Sequence, residues 1–142
     1  MKKRLIVCLL CTACPVMAAA ASHPCLNIGR SPDIAIRQVM KDQLKIDVGR
    51  IVEDKTKMEL LAAKPVTRLL AEEIYQRETG LHSGDKDETI GLLMGEDAKN
   101  LIIKYTYKNK DGRENIFIGS YIVNDDECSV LFNGYITVSR EF

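Results

Sequence analysis

The 142-residue chain lacks most of the patterns that mark a catalytic or metal-binding site. Its two histidines, His23 and His82, are far apart and belong to no closely spaced ligand set of the kind that zinc sites use. The sequence contains neither a GxSxG nucleophile elbow nor a glycine-rich phosphate-binding loop. We therefore expect no catalytic residue, no metal site and no cofactor.

The chain also lacks an excess of basic residues and a long apolar run. Lysine and arginine together number 20, as do aspartate and glutamate, so there is no basic stripe of the kind that binds nucleic acid. The first apolar run, from Leu5 to about Ala13, is shorter than the roughly 20 residues that a helix needs to cross a bilayer. Neither nucleic-acid binding nor an integral membrane span is expected.

The start of the chain is typical of a secretory signal peptide. Met1-Lys2-Lys3-Arg4 is basic, the apolar run follows, and small residues with Ala-x-Ala spacing end it. Cleavage near Ala20 would leave residues 21–142 as a single periplasmic domain with a net charge of −3, because three cations and no acids are removed. The alternative is a lipid anchor at Cys14, although Cys11 stands where such a signal normally has a bulky aliphatic residue.

Removing the signal peptide also removes three of the five cysteines and leaves Cys25 and Cys128. In an oxidising compartment, an even pair at opposite ends of a small domain predicts a disulfide. The alternative for each cysteine is a buried free thiol. The bond would close a loop of about 100 residues, which makes it a large potential contribution to stability.

The last third of the chain predicts three consecutive β-strands. Residues 101–108 alternate between apolar and polar, and Asp111-Gly112 then gives a strong signal for a tight hairpin turn. Residues 114–123 are apolar on both faces, as in a central strand covered by other elements. In the third strand, simple alternation places on one face Cys128, Val130, Phe132, Ile136 and Val138.

Two amphipathic helices are expected before these strands. One begins at Ser31-Pro32-Asp33, and the other covers about Val66 to Thr79 with Gly80 as its cap. Residues 51–64 fit either a helix or a strand, with a strand favoured over 57–63, and residues 89–95 suggest a short strand or tucked loop. The predicted fold is α+β: an antiparallel sheet with two helices on one face, of cystatin-like or nuclear-transport-factor-like shape, closed by one disulfide.

Candidate binding residues lie in two acidic segments and on the predicted sheet. The acids are Asp85, Asp87, Glu88, Asp125, Asp126 and Glu127, and the tyrosines are Tyr121 and Tyr135. The first acidic segment resembles the opening of a calcium loop, but that pattern fails at the positions of Thr89 and Ile90. The acids either form ordinary turns or attract a cationic partner, and the tyrosines either pack across strands or anchor a partner.

Some of these features form a layout that resembles the colicin M immunity protein and related small secreted enterobacterial domains. The matching residues are Cys25 ahead of the Ser31 helix, Lys110-Asp111-Gly112-Arg113, Gly119-Ser120-Tyr121, and Cys128 followed by Tyr135. The middle of the chain, from Lys45 to Gly95, departs from that layout. The resemblance implies a periplasmic protein that neutralises an incoming toxin by binding it, and it assigns no binding residue.

The sequence therefore leads to three functional hypotheses. The first is a periplasmic immunity or inhibitor protein that binds a toxin or a secreted hydrolase. The second is a structural accessory of an envelope secretion or conjugation machine, similar to a pilotin, which lipidation at Cys14 would favour. The third is a small-ligand-binding or enzymatic domain with a cavity between its helices and its sheet.

Overall fold

A computed structural model describes residues 23–78, 81, 84–128 and 130–142. The helices are α1 (Ser31–Asp42), α2 (Arg68–Arg77) and α3 (Lys86–Met94), and the strands are β1 (Lys57–Pro65), β2 (Lys99–Lys108), β3 (Glu114–Val123) and β4 (Leu131–Arg140). All four strands form one antiparallel sheet in the order β1-β2-β3-β4. The predicted α+β class and the antiparallel meander are confirmed, and β1 joins the meander as a fourth strand. The predicted signal peptide, with Cys14, lies outside the described residues, as do Gly80 and His82.

Helix α1 packs across one face of the sheet, which we call the core face. Its residues Ile36 and Met40 are fully buried against aromatic side chains of β2 and β3. Tyr105 and Tyr107 stack with their ring centroids 5.8 Å apart, and Phe117 lies 6.3 Å from Tyr107. The alternation of β2 explains this packing, because every second side chain of a strand points to the same face. Burial also raises the pKa of the tyrosine hydroxyls in this core.

A buried carboxylate ties α1 to the centre of the sheet. Asp33 is fully buried and accepts hydrogen bonds from the Tyr107 hydroxyl at 2.7 Å and from the Gly29 backbone N–H at 2.8 Å. The Nε of Arg37, one helical turn later, donates to the same carboxylate at 3.0 Å. The sequence predicted Asp33 only as part of the start of this helix. Its buried position instead makes it the polar contact between helix and sheet.

The predicted disulfide is present between Cys25 and Cys128, whose positions are 103 residues apart. Cys25 is buried in the core beside α1, and Cys128 lies in the loop between β3 and β4. The bond therefore joins the segment that precedes α1 to the far end of the sheet. Together with Asp33, it fixes the start of α1 against the core face.

Helices α2 and α3 pack together on the opposite face of the sheet. Ile122 follows Tyr121 on β3 and so points to the other face, where it is buried with Ala71 and Ile74 of α2 and Ile90 of α3. The sequence predicted two helices on one face, whereas the structure places α1 alone on the core face and the α2–α3 pair on the other. This pair covers only the end of that face around Ile122.

Helix α3 occupies a segment that was expected to be a strand or a tucked loop. Its start is capped by Asp85, whose carboxylate accepts a hydrogen bond from the Glu88 backbone N–H at 3.0 Å. An aspartate cap followed by acids in the first turn is a typical helix start. Gly91 lies within this helix, with its α-carbon facing open space.

Strand β4 departs from simple alternation because it contains two bulges. The pairing of β3 with β4 shifts between Ile116 and Phe117 and again between Ser120 and Tyr121. Each extra residue in a bulged strand moves the following side chains to the other face. Phe132 therefore faces the core, opposite Tyr121, whereas Ile136 lies opposite Ile118 on the other face. The prediction that Phe132 and Ile136 share one face was wrong for this reason.

The Asp-Gly hairpin joins β2 to β3 as predicted, with a longer loop than a two-residue turn. The backbone N–H of Asn109 donates to the Arg113 carbonyl, and the N–H of Gly112 donates to the Asn109 carbonyl. Within this loop, only Gly112 has a positive φ, of 78°. A type I turn followed by a left-handed glycine gives this geometry, so the glycine fulfils the role that the sequence indicated.

Two glycine substitutions should have opposite effects on stability. A Cβ at Gly119 would lie 2.5 Å from the Tyr121 hydroxyl oxygen, so Gly119→Ala forces a buried ring to move and should cost about 1–3 kcal/mol. A Cβ at Gly91 in α3 meets nothing within 4 Å, so Gly91→Ala should add about 0.5–1 kcal/mol. Urea unfolding followed by circular dichroism measures both changes. A stable Gly119→Ala protein would contradict the packing of Tyr121 over Gly119.

Candidate interaction surface

Among the described residues, no further helix covers the second face of the sheet beyond the α2–α3 pair. A groove of about 670 Å³ lies there, and its floor is formed by Ile102, Ile118 and Ile136 from three neighbouring strands. The end of α2 borders the groove through Arg77 and Glu78. We call this surface the open face and define it by Arg77, Ile102, Ile118, Ser120, Asn133 and Ile136.

The apolar floor follows from the strand register. Ile118 pairs directly with Ile136, and Ile102 pairs with Ser120 in the adjacent row. Ile136 is 64% exposed, and Val138 farther along β4 is 54% exposed. Large apolar side chains that cluster at the surface mark interaction sites more often than single exposed ones do. The open face is therefore the strongest candidate for contact with another molecule.

A chain of hydrogen bonds separates the covered and open parts of this face. The Ser120 hydroxyl donates to Asn100 Oδ1 at 2.8 Å, and Asn133 Nδ2 donates to the Ser120 oxygen at 3.0 Å. Arg77 Nη2 then donates to the Asn133 carbonyl at 3.2 Å and also to its side-chain oxygen. These bonds connect three strands with α2 and hold the border of the groove in a defined shape.

The two edges of the sheet differ in their protection. Edge strand β1 carries Lys57, Glu59, Lys64 and Pro65, which are residues that discourage pairing with a further strand. The opposite edge, β4, has no charged residue and no proline from Leu131 to Ser139, and its centre is exposed. An uncharged, exposed edge favours pairing with an extended strand, so β4 is the more receptive edge.

The predicted acidic residues of the first segment have structural roles at the start of α3. Asp85 caps the helix, and Asp87 forms an ion pair with Arg68 of α2 at 3.1 Å. Glu88 is exposed in the first turn, where an acid suits the helix dipole. These three residues remain at the surface and contribute to helix formation and to the α2–α3 contact.

The second acidic segment forms the turn after β3. Asp125 binds Lys99 Nζ at 2.9 Å, and its backbone N–H donates to Asp97 Oδ2 at 2.7 Å. The backbone N–H groups of Asp126 and Glu127 both donate to Asn124 Oδ1. This is ordinary turn chemistry. All three side chains are exposed; Asp125 is paired with Lys99, whereas Asp126 and Glu127 remain available to a cationic partner.

The two candidate tyrosines have different environments. Tyr121 is only 2% exposed and packs among the core aromatics, 5.2 Å from Phe132, so the structure places it in the core and not on a binding surface. Tyr135 is partly exposed but lies on the core face, where its ring centroid is 6.4 Å from those of Phe117 and Phe132 and its hydroxyl donates to Gln43 Oε1 at 3.2 Å. Neither candidate tyrosine therefore presents its side chain on the open face.

Sequence reasoning missed the isoleucines of the open face. The signal for them is Asn133-Gly134 inside an otherwise β-prone strand, because an isolated glycine in a strand often marks a bulge. Gly134 indeed has a φ of 129° and follows the extra residue of the first bulge. With that bulge recognised, Ile136 is assigned to the face opposite Phe132.

The described histidine has a local role. His23 Nδ1 accepts a hydrogen bond from the Cys25 backbone N–H at 3.2 Å, and burial together with the nearby Lys99 lowers the pKa of His23. Within the described ranges, no group of three or more acidic, histidine or cysteine side chains is placed to hold a metal ion. No helix in the same ranges is long and apolar enough to cross a membrane.

Comparisons of the chain with protein-family models, with curated proteins and with solved structures find no match. The resemblance to the colicin M immunity protein therefore stays a prediction. Any functional assignment has to be argued from the residues of the chain itself, and the open face carries that argument.

Proposed function

We propose that this chain is an exported binding protein of the immunity or inhibitor type, which neutralises a toxin or a secreted hydrolase in the periplasm. It acts by covering its target and not by catalysis. The observation that carries the proposal is the open face, an apolar groove on a rigid sheet with hydrogen-bonding groups along its border.

The composition of the open face suits a protein partner. Protein interfaces combine an apolar centre with a polar rim, and tyrosine and arginine are enriched among the residues that contribute most to binding. Here the isoleucines form the centre, and Arg77 and Asn133 stand beside it. A partner can bury the apolar floor while it forms hydrogen bonds with the rim.

The scaffold that carries this surface is held at several points. The disulfide and the Asp33–Tyr107 contact fix α1 on the core face, and the Arg77–Asn133 contact fixes α2 beside the groove. A surface that is ordered before binding loses less conformational entropy on association. This feature supports tight binding, which an inhibitor needs in order to neutralise its target.

The acidic turns contribute in a different way. Asp125, Asp126 and Glu127 expose negative charge, and the chain without its predicted signal peptide carries a net charge of −3. Such charge accelerates encounter with a cationic partner more than it strengthens the final complex. We therefore propose that the acids accelerate association with the partner, whereas the open face determines the affinity of the complex.

The position of the groove argues against the small-ligand hypothesis as first framed. That hypothesis places a cavity between the helices and the sheet, but Tyr105, Tyr107 and Phe117 fill most of the space between α1 and the sheet. The pocket that is left beside the start of α1 measures only about 150 Å³. The groove lies instead on the other face and opens to solvent along β4. An open groove is better suited to a protein surface than to a ligand that must be enclosed.

The test is protection of bacteria that export the protein. Cells are challenged with a panel of periplasm-targeted cell-wall and lipid hydrolases, including the product of the adjacent gene. Ile136→Asp should weaken binding to the neutralised enzyme by about 30-fold, as expected for the loss of a central apolar contact. Leu92→Asp is the matched control, because Leu92 is 74% exposed on α3 and lies outside the open face.

Two outcomes would contradict the proposal. Equal protection by both variants would show that the binding site does not lie on the open face. A lack of protection against every enzyme of the panel would contradict the inhibitor hypothesis. Mass analysis of the mature amino terminus distinguishes the inhibitor hypothesis from the pilotin-like alternative, because a lipid at Cys14 would favour an envelope accessory.

A further inference from the structure

We propose that the α2–α3 pair, Arg68–Arg77 and Lys86–Met94, is a lid on the second face of the sheet. The lid is hinged where it joins β1 and β2 and is latched on β4 by Arg77, and its opening adds the surface around Ile122 to the open face. This inference concerns a motion of the chain and does not depend on the proposed inhibitor function.

The two connections between the lid and the sheet lie side by side. β1 ends at Pro65, which pairs with Lys99 at the start of β2, and the Val66 backbone N–H donates to the Ala98 carbonyl at 3.0 Å. The chain therefore leaves the sheet and returns to it at one place, the junction of β1 with β2. Rotation at this junction can move both helices together, because a hinge needs only a few residues at the ends of elements.

The latch lies on the other side of the face, on β4. Arg77 is the last residue of α2, and its Nη2 donates to the Asn133 carbonyl at 3.2 Å and also to the Asn133 side-chain oxygen. The Arg77 side chain is 47% exposed, so water competes for these hydrogen bonds. Exposed contacts of a charged side chain contribute little to stability, and the latch therefore opens at a small cost in free energy.

The lid is packed more lightly than α1. Only two of the ten residues of α2 and two of the nine residues of α3 are buried, whereas five of the twelve residues of α1 are buried. The four buried side chains of the lid belong with Ile122 to a core that is separate from the one beneath α1. α1 is also fixed by the disulfide and by Asp33. Regions with few buried apolar contacts open more readily than the rest of a fold.

The two helices of the lid are joined to each other and so move as one body. Arg68 of α2 forms an ion pair with Asp87 of α3 at 3.1 Å, and the buried sides of both helices share one apolar cluster. Neither contact is broken when the pair rotates away from the sheet. Opening thus separates the lid from Ile122 and leaves the helices themselves intact.

Opening has a direct consequence for the open face. Ile118, Ser120 and Ile122 of β3 point to the same side, because every second residue of a strand shares a face. Ile118 already lies in the groove, whereas Ile122 is fully buried beneath the lid. With the lid open, the apolar floor continues past Ser120 to Ile122. A partner that fills this longer groove holds the lid open.

The first experiment measures how often the lid opens in the mature protein with its disulfide intact. Ala71→Cys and Ile122→Cys place thiols on the two sides of the buried contact, and Val39→Cys places a thiol on the buried side of α1. A maleimide under native conditions should label the first two at equal rates, at least about 100-fold faster than the third. Each of the two reporters stands alone if the other variant fails to fold.

The second experiment tests the latch. Arg77→Ala should raise the labelling rate of Ala71→Cys by about fivefold, as expected for the loss of an exposed contact. Arg68→Ala is the matched control, because it removes another exposed arginine from α2 whose partners, Glu72 and Asp87, both belong to the lid. It should change the rate by less than about twofold.

The third experiment distinguishes motion of the lid from unfolding of α2. A lid that moves as one body keeps its helical hydrogen bonds, so hydrogen exchange of the α2 amides should give an opening constant at least about tenfold below the one from labelling. Equal constants would show that the helix unfolds instead. Reporters labelled as slowly as Val39→Cys would show that the lid stays closed, and an unchanged rate in Arg77→Ala would show that Arg77 is not the latch. Each of these results would overturn the proposal. No toxin or hydrolase takes part in these experiments, so the inhibitor proposal is tested separately.

Discussion

Replacing Cys25 and Cys128 together by alanine is expected to lower the free energy of unfolding by up to about 4–5 kcal/mol, which is the chain-entropy value for a loop of this length. The two residues are 103 positions apart, so their bond removes many conformations from the unfolded chain. Alanine is chosen at both positions because Cys25 is buried among apolar side chains, where a serine hydroxyl would add its own cost.

Urea unfolding of the mature protein, with and without a reducing agent, measures this effect. The sequence has no tryptophan and five tyrosines, so near-ultraviolet circular dichroism of the tyrosine core reports tertiary structure. The reduced wild-type protein is the matched control and should be as unstable as the alanine variant, which should not respond to the reductant. A wild-type protein that reduction does not destabilise would show that the bond is dispensable for the fold.

Local patterns allowed much of the fold to be predicted. Neighbouring residues alone indicate the alternation in β2 and the Asp-Gly turn, and the expected compartment indicates the disulfide between the two cysteines. The structure contains all three features. Helix α3 was missed because its short apolar run, interrupted by Gly91, suggested a strand or loop, and Asp85 was not recognised as a helix cap. The distribution of helices over both faces was also missed, because it depends on which side of the sheet each connection crosses.

The candidate site was less predictable than the fold. Exposed acids and tyrosines are visible in a sequence, but the structure uses Asp85 and Asp125 in a cap and a turn, and it buries Tyr121. The open face depends instead on bulges in β4, and each bulge reverses the face of every later side chain in the strand. One unnoticed residue, Asn133, was enough to place Ile136 on the wrong side.

The start of α1 is attached to the sheet at two points, the disulfide and the carboxylate of Asp33. That carboxylate accepts from the Tyr107 hydroxyl, from Arg37 and from the backbone of Gly29. The Arg37 guanidinium also lies over the Tyr107 ring, with its carbon 5.5 Å from the ring centroid. The three side chains therefore form one unit centred on Asp33, and the loss of Asp33 leaves the Tyr107 hydroxyl and the Arg37 Nε–H without the acceptor that they share.

Asp33→Ala should consequently destabilise the protein by about 3–5 kcal/mol, which is typical when one partner of a buried ion pair is removed. Tyr107→Phe should cost less, about 1–3 kcal/mol, because the carboxylate keeps its bonds to Arg37 and Gly29. Asp42→Ala is the control on the same helix: Asp42 is exposed, with a hydrogen bond to Gln38, and its loss should stay within about 0.5 kcal/mol. Urea unfolding of the three variants measures these changes in the free energy of unfolding. If Asp33→Ala were no more destabilising than Asp42→Ala, the disulfide and apolar packing alone would hold α1 to the sheet.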